Sequence, residues 1–259
     1  MKGAGLIPAA GGTRRMDGFK PLLKINGFPM ITMTVQSLRN AGIRDIIVVT
    51  GYRGEEVEKV LEPMGVRIIE NRRWQETDML ASVKLGLEAA DKKEGVFILP
   101  GDIPLTSPGT FKKMAEGISK AKPGTEVLLP GAGGKILHPP FLFPEGCRQA
   151  LDYQGSKGLR GAFGSMETEI VTAADTGAEM DADNRKDLAQ IQDYARKHRG
   201  ISRELCEGLY DEVSLPAHIR AHCLAVGEMA AWMAKRLIRA GAFLDLELCR
   251  SGGYLHYLV

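Results

Sequence analysis

Short apolar runs alternate with amphipathic stretches along the first hundred residues. The apolar runs cover residues 5–9, 45–50, 66–70 and 96–99, and the stretches with helical apolar spacing cover 30–39, 55–61 and 79–90. A strand that is apolar throughout is buried on both faces, and strands separated by helices pair in parallel. The pattern therefore predicts an α/β fold with a doubly wound, mostly parallel sheet.

The pattern changes near residue 202. From there the chain shows only helical apolar spacing, as in LPAHIRAHCLAVGEMAAWMAKRLIRAG, which begins at Leu215. The polar stretch 196–200 lies between the two patterns, and such stretches are typical of linkers. We expect two domains: an α/β domain over 1–198 and a small all-α segment over 199–259.

Composition limits the classes of partner. The 259 residues are 44% hydrophobic and 25% charged, and the net charge is +2. No long run of one charge predicts a nucleic-acid surface, and no apolar run approaches the roughly 18 residues of a membrane span. The four cysteines form no CxxC pair, so neither a zinc site nor a disulfide framework is indicated. We expect a cytoplasmic protein that binds neither nucleic acid nor membrane.

The loop after the first strand is rich in small and basic residues. Residues 9–20 read AAGGTRRMDGFK. Small residues let backbone N–H groups turn toward an anion, and Arg14, Arg15 and Lys20 add positive charge. The stretch matches neither the Walker pattern nor GxGxxG. It is either a cradle for a polyphosphate or a tight glycine turn flanked by solvated basic residues.

A carboxylate ends the fourth apolar run. In VFILPGDIPL, Asp102 follows a buried strand, where a carboxylate is costly unless it is paired or binds a cation. The alternative is an Asp that caps a turn. In open α/β sheets, ligands bind beyond the carboxyl ends of the strands. We therefore expect the loop 9–20 and the loop 100–105 to meet in one crevice.

The order of residues in the first loop resembles the AAGxSxRMGxxK signature of nucleotidyltransferases related to the molybdenum cofactor cytidylyl- and guanylyltransferases. The matching residues are Ala9, Ala10, Gly11, Thr13 in place of Ser, Arg15, Met16 and Lys20. Pro8 and Asp17 depart from the family pattern. The resemblance implies a Rossmann-like nucleotidyltransferase fold, with Arg15 and Lys20 holding phosphates. It also implies that Ala9, Ala10, Gly11, Gly12 and Thr13 bind the nucleotide, with the backbone from Ala10 to Thr13 wrapping the phosphates, and Ala10 favours CTP.

Two further motifs resemble the family's metal-binding positions. Gly101, Asp102 and Pro104 match its GDxP motif, and DADNRKDL, residues 181–188, resembles D-x-D-x-x-x-D-L. The resemblance implies that Asp102 and Asp183 hold Mg²⁺. Asp187 is expected in the first turn of the following helix, where negative charge is favourable.

The remaining matches concern the base and the acceptor. Asn71, Trp74 and Ser82 match an N-x-x-W motif followed by a Ser at a helix start, although Asp78 lies where the family has Gly. Asn71 and Ser82 are expected to bind the nucleotide, whereas Trp74 is equally compatible with ordinary packing. His138 resembles the His of G-H-P, and Gly158 with Arg160 resembles G-x-R. By resemblance, His138 and Arg160 bind the acceptor; a structural histidine is the alternative.

The helical segment resembles the start of an HD-type metal phosphohydrolase. His222 and His256 match two of its histidines, but Tyr257 replaces the aspartate that follows the second one. An HD site needs that carboxylate, so hydrolase activity is the least favoured interpretation. We expect a helical cap or a remnant of that domain, and a homodimer formed through this segment.

These features together predict a Mg²⁺-dependent nucleotidyltransferase. It would move a nucleoside monophosphate, CMP for preference, from an NTP onto a phosphorylated small-molecule acceptor such as molybdopterin, and release pyrophosphate. Related enzymes also use sugar phosphates or alcohol phosphates as acceptors. A non-catalytic nucleotide sensor is the other alternative.

Overall fold

The computed structural model describes residues 3–12, 18–197, 200, 203–242 and 244–258. The chain divides into two compact units, Met1–Gln192 and Asp193–Val259. Residues 198 and 199 lie outside the described residues, so the domain boundary expected there stays a prediction.

Strands and helices alternate through the first unit. Its strands are β1 (Ala4–Pro8), β2 (Lys24–Ile25), β3 (Phe28–Pro29), β4 (Ile46–Thr50), β5 (Arg67–Glu70), β6 (Val96–Ile98), β7 (Val127–Ala132), β8 (Lys135–Ile136), β9 (Phe141–Leu142) and β10 (Thr168–Thr172). The helices that accompany them are α1 (Met30–Asn40), α2 (Gly54–Leu61), α3 (Met79–Ala89), α4 (Pro108–Lys120), α5 (Pro144–Asp152) and α6 (Gly158–Phe163). The helix α7 (Arg185–Lys197) begins in the first unit and ends in the second. The strands and helices that the apolar pattern predicts in the first hundred residues are all present.

The strands form one large sheet and a small hairpin. The sheet order is β10-β7-β9-β6-β1-β4-β5, with β8 paired to β7, and β2 pairs with β3 separately. β1 is parallel to β4 and β6, β4 to β5, and β7 to β10. β9 is antiparallel to both β6 and β7. The predicted doubly wound, mostly parallel α/β fold is confirmed.

Both faces of the sheet are covered by helices. In β1, Ile7 packs in a core with Val35 of α1 and Phe111 of α4. The preceding residue, Leu6, points to the other face and packs with Val83 of α3 and Ala150 of α5. Because successive strand residues face opposite sides, the unbroken apolar run of β1 buries two layers at once.

The loops after β1 and β6 meet beyond the carboxyl ends of their strands. The N–H of Gly101 donates to the carbonyl of Pro8 at 3.2 Å, and the N–H of Tyr52 donates to the carbonyl of Ala10 at 3.1 Å. A Cβ at Gly101 would lie 3.1 Å from the Cβ of Ala9, so the small residue permits this close approach. The crevice expected from the strand order is therefore present.

The second unit contains the helices α8 (Arg203–Glu212), α9 (Ala217–Arg239) and α10 (Leu246–Leu255). Its core is formed by Cys206, Tyr210, Cys223 and Tyr254, and the hydroxyl of Tyr210 donates to the carbonyl of Tyr254 at 2.5 Å. The all-α character expected for this segment is confirmed. Among the described residues, no helix combines the length and the apolar character that a membrane crossing requires; the cytoplasmic location stays a prediction.

Candidate functional site

A lysine and two carboxylates from distant parts of the chain meet at the carboxyl edge of the sheet. Lys20 opens a 3-10 turn after the first loop, Asp102 follows β6, and Asp183 precedes α7. The Nζ of Lys20 lies 2.7 Å from Oδ1 of Asp183 and 3.4 Å from Oδ2 of Asp102. The Lys20 side chain is mostly covered at 16% exposure, whereas Asp102 and Asp183 are 30% and 62% exposed. A ligand arriving from solvent can therefore reach both carboxylates.

The charges in this cluster influence one another. Burial lowers the pKa of Lys20, but the hydrogen bond to Asp183 and the charge of Asp102 outweigh it and raise that pKa above its usual value of 10.5. Burial, together with the charges of Asp183 and Asp102, raises the pKa of Asp181. The site is thus a concentration of negative charge that Lys20, charged at neutral pH, partly neutralises.

Asp187 fixes the backbone that carries Asp183. Its Oδ2 accepts hydrogen bonds from the N–H groups of Asp183 at 3.2 Å and Asn184 at 3.1 Å. Asp187 lies in the first turn of α7, as predicted. A carboxylate there satisfies N–H groups at the helix start, which have no partner within the helix.

The donor set of this cluster fits a divalent cation that also binds phosphate. Two carboxylates already converge on one positive group, the ammonium of Lys20. No group of three or more His, Cys, Asp or Glu suited to a metal ion occurs within the described residues. A cation here would complete its coordination with water and phosphate oxygens, which is how Mg²⁺ is usually bound.

Part of the predicted phosphate loop can be placed. Ala9 and Ala10 are buried, and Gly11 and Gly12 are exposed at the crevice. One side of Gly12 lies against aromatic rings, because a Cβ there would lie 3.2 Å from Cζ3 of Trp74 and 3.4 Å from Cγ of Tyr52. Thr13 and Arg15 lie outside the described residues, so their expected roles stay predictions.

A pocket of about 130 Å³ opens between the end of β1 and the start of α3. Its lining includes Ala10, Gly11, Asn71, Trp74, Asp78 and Ser82. Four of these six residues, Ala10, Gly11, Asn71 and Ser82, were expected to bind the nucleotide. The pocket thus brings four of the predicted nucleotide-binding residues together.

Aromatic side chains form one wall near the loop. The rings of Tyr52 and Trp74 are 5.2 Å apart and tilted by 53°, and Phe19 meets Tyr52 edge-on at 5.3 Å. Sequence reasoning missed Tyr52. The signal available was its position two residues after β4, at the ligand-binding edge of a parallel sheet.

The side chain of Asn71 is hydrogen-bonded to other groups of the protein. Its Nδ2 donates to Oγ1 of Thr77 at 3.0 Å and to Oγ of Ser82 at 3.1 Å, and its Oδ1 accepts from the N–H of Arg73 at 3.1 Å. Both donors of the amide and one acceptor lone pair are therefore used. Asn71 shapes the pocket by holding Thr77 and Ser82 in position.

The two residues predicted on the acceptor side differ in setting. Burial lowers the pKa of His138, against the opposing charge of Asp102, and its Nδ1 has no hydrogen-bond partner among the described residues. The imidazole is therefore neutral at neutral pH. Arg160, in α6, is exposed and forms no ion pair with a described residue. Its guanidinium is available to an anion.

The two histidines of the second unit lie close together. Nε2 of His222 and Nε2 of His256 are 3.3 Å apart, and the ring of Tyr257 lies 6.0 Å from that of His256. No third metal ligand joins them among the described residues. The resemblance to an HD-type domain therefore stays a prediction.

Similar proteins match part of the chain. The chain is 32% identical over 146 residues to the bifunctional protein GlmU of Symbiobacterium thermophilum, covering 52% of this chain and 30% of that protein. It is 31% identical over 122 residues to a 3-deoxy-manno-octulosonate cytidylyltransferase of Haemophilus ducreyi, covering 46% of this chain and 47% of that one. The chain thus spans less than half the length of these two curated relatives.

A solved structure supports the same family relation. A nucleotidyl transferase from Methanothermobacter thermautotroptrophicus superposes with a TM-score of 0.66 at 25% identity, covering 75% of this chain and 97% of that one. Residues 5–170, more than half of the chain, match the family described as the MobA-like NTP transferase domain. The fold agrees with that match, and the chain belongs to the MobA-like NTP transferase domain family.

Proposed function

We propose that this chain transfers a nucleoside monophosphate from an NTP, with CTP preferred, to a phosphorylated small-molecule acceptor such as molybdopterin. The observation that carries the proposal is the cluster of Lys20, Asp102 and Asp183 beside the pocket at the carboxyl edge of the sheet. Nucleotidyl transfer requires charge compensation at the phosphates, and this edge offers carboxylates for a cation next to a basic group.

The reaction needs no nucleophile from the protein. An oxygen of the acceptor phosphate attacks the α-phosphorus, the bond from that phosphorus to the bridging oxygen breaks, and pyrophosphate leaves with the electron pair. The protein contributes positioning and electrostatic stabilisation. Asp102 and Asp183 would hold Mg²⁺, which supplies neutralisation of the charge on the phosphates when it is bound.

Lys20 has two partners in this scheme. Its ammonium is held by Asp102 and Asp183, and with NTP present it would turn to the phosphate oxygens, where Arg15 and the backbone N–H groups of the loop add further donors. The exchange replaces one set of charge-assisted hydrogen bonds with another. The ammonium therefore stays paired in both states.

The pocket would take the base. It is small, at about 130 Å³, and its lining includes Trp74 together with Ala10 and Gly11 of the loop. The preference for CTP draws support from Ala10 and from the cytidylyltransferase among the relatives. His138 and Arg160 would bind the acceptor. The acceptor would be molybdopterin, a sugar phosphate or an alcohol phosphate, and a turnover assay distinguishes these three.

A second candidate is a nucleotide sensor that does not turn over. The departures from the family pattern at Pro8, at Asp17 and at Asp78, which lies where the family has Gly before Ser82, favour it. A homodimer formed through the helical segment also stays a prediction; it draws support from the exposed side chains of Met229, Trp232 and Met233 on α9. A phosphohydrolase built on His222 and His256 is the least supported alternative.

The test is a thermal-shift panel followed by a turnover assay. CTP, GTP, UTP and ATP are each added with and without Mg²⁺, since a ligand that binds only the folded protein stabilises it by about 2.7 kcal/mol at a hundredfold excess over its Kd. Pyrophosphate release is then measured with molybdopterin, glucose 1-phosphate and phosphocholine. A Mg²⁺-dependent thermal shift, together with pyrophosphate release in the presence of one of the acceptors, supports the transferase. Binding without release in any acceptor supports the sensor, and no binding contradicts both.

A further inference from the structure

Most polar side chains that line the pocket are already hydrogen-bonded within the protein. The amide of Asn71 is used as described above. The hydroxyl of Thr77 accepts from Asn71 and donates to the carbonyl of Arg73 at 2.9 Å. Neither of these side chains has its main hydrogen-bonding group left for a ligand.

In the part of the chain that the structure describes, three side chains that line the pocket, those of Trp74, Asp78 and Ser82, keep a hydrogen-bonding group available, and for Trp74 it is the Nε1–H donor. Oδ1 of Asp78 accepts from the N–H of Ala81 at 3.1 Å, while its Oδ2 has no hydrogen-bond partner among the described residues. Oγ of Ser82 accepts from Asn71, and among those residues none accepts its hydrogen. Asp78 and Ser82 thus offer a ligand one charged acceptor and one donor, and Trp74 offers a second donor.

Two features hold Asp78 in place. It is the N-cap of α3. On its other side Gly158 adopts φ 57°, and a Cβ there would lie 3.0 Å from Oδ2 of Asp78. The absence of a side chain at Gly158 leaves room for Oδ2 of Asp78. The carboxylate is therefore fixed by a helix cap and a close backbone neighbour.

The charge of Asp78 decides which part of a nucleotide can lie there. A helix N-terminus attracts anions, but at α3 a carboxylate already occupies that position. A phosphate group would be repelled by it, whereas an N–H donor of a base would be attracted. The base, and not the triphosphate, fits this end of the crevice.

We propose that Asp78 is a specificity-determining residue, and that its Oδ2 accepts a hydrogen bond from the exocyclic N4 amino group of cytosine. The hydroxyl of Ser82 donates to the neighbouring acceptor of the same base edge. Uracil carries a carbonyl oxygen in place of the amino group, and a carboxylate repels it. The inference rests on the proposed function, since it assigns the base to this pocket, and it gives that function a preference for cytosine over uracil.

The experiment compares CTP with UTP. Dissociation constants are measured by isothermal titration calorimetry, with Mg²⁺ present, for the natural chain and for Asp78→Asn and Asp78→Ser. Asn and Ser are as good as Asp at an N-cap, so α3 keeps its cap. The matched control is Asp91→Asn: Asp91 caps a short helical turn through the N–H of Lys93 and does not line the pocket.

Both Asp78 variants should lower the preference for CTP over UTP by about tenfold or more, because a hydrogen bond to a charged group is lost. Asp91→Asn should keep the natural ratio. An unchanged ratio in the Asp78 variants, or an equal change in Asp91→Asn, would overturn the inference and leave the proposed function standing. If the natural chain binds neither nucleotide, the proposed function fails and the inference fails with it.

Discussion

The position of Lys20 between two carboxylates predicts that the lysine and a divalent cation compete for the same oxygens. The substitution Lys20→Met removes the ammonium group and keeps an unbranched apolar side chain of similar length. The carboxylates of Asp102 and Asp183 then lose the cation that lies 3.4 and 2.7 Å away. Metal binding in the absence of nucleotide should become stronger.

The size of the effect follows from the exposure of the partners. Asp183 is 62% exposed, so solvent screens its ion pair, while the Lys20 side chain is only 16% exposed. Exposed pairs contribute about 0.2–1 kcal/mol and hydrogen bonds to charged groups about 1.5–3 kcal/mol. We take an intermediate value of about 1.4 kcal/mol for the interaction of Lys20 with the two carboxylates. Removing that interaction corresponds to a roughly tenfold increase in metal affinity.

The assay is the titration of free Mn²⁺ by electron paramagnetic resonance. Lys24→Met is the control, because Lys24 is an exposed lysine of β2 whose removal changes the net charge by the same amount. CTP is titrated in parallel by calorimetry, and its affinity should fall in Lys20→Met because a phosphate-binding group is lost. Equal Mn²⁺ affinity in Lys20→Met and the natural chain would refute the competition, as would the same gain in Lys24→Met.

Four further outcomes are expected. Asp187→Ala removes the acceptor of two N–H groups at the start of α7 and should lower the free energy of unfolding by about 1 kcal/mol in urea titrations; no loss would mean that water replaces the cap. A Cβ at Gly86 would collide with the side chain of Leu6, so Gly86→Ala should cost about 1–3 kcal/mol by the same titration, and a neutral result would show that Leu6 can move. Burial lowers the pKa of His138 below its usual 6.5, so the unfolded state binds the proton more readily and stability should fall as pH drops below 6.5; His138→Gln should flatten that slope, and an unaltered slope would assign it to other groups. The pKa of Lys20 is raised above 10.5, so its stabilising pairs persist below 10.5 and are lost above the raised value; the stability difference between the natural chain and Lys20→Met should shrink only in that alkaline range.

The sequence predicts the sheet where its strands are long and apolar. β1 and β4 each have five buried residues in succession. Such an unbroken apolar run can be recognised in the sequence. β9 has only two residues, Phe141 and Leu142, yet it runs antiparallel between β6 and β7. A two-residue strand carries no periodicity, so its insertion could not be predicted.

The site is predicted less completely than the fold. The motifs identify Lys20, Asp102 and Asp183 separately, but their ion pairs join residues 82 and 163 positions apart. Only the folded chain brings them within hydrogen-bonding distance. Asn71 was predicted from its motif to bind the nucleotide, and that stays a prediction; its side chain is directed to Thr77 and Ser82, which no sequence pattern reveals.

The most direct test of the proposed transfer follows the α-phosphorus itself. CTP labelled with ³²P at that position is incubated with Mg²⁺, the protein and each acceptor, and products are separated alongside a reaction with Asp102→Asn. The label should appear in a CMP-acceptor product, with one pyrophosphate released for each CMP transferred, and Asp102→Asn should form none. Label that stays in CTP or appears only as free CMP, or equal product with Asp102→Asn, would contradict transfer at this site.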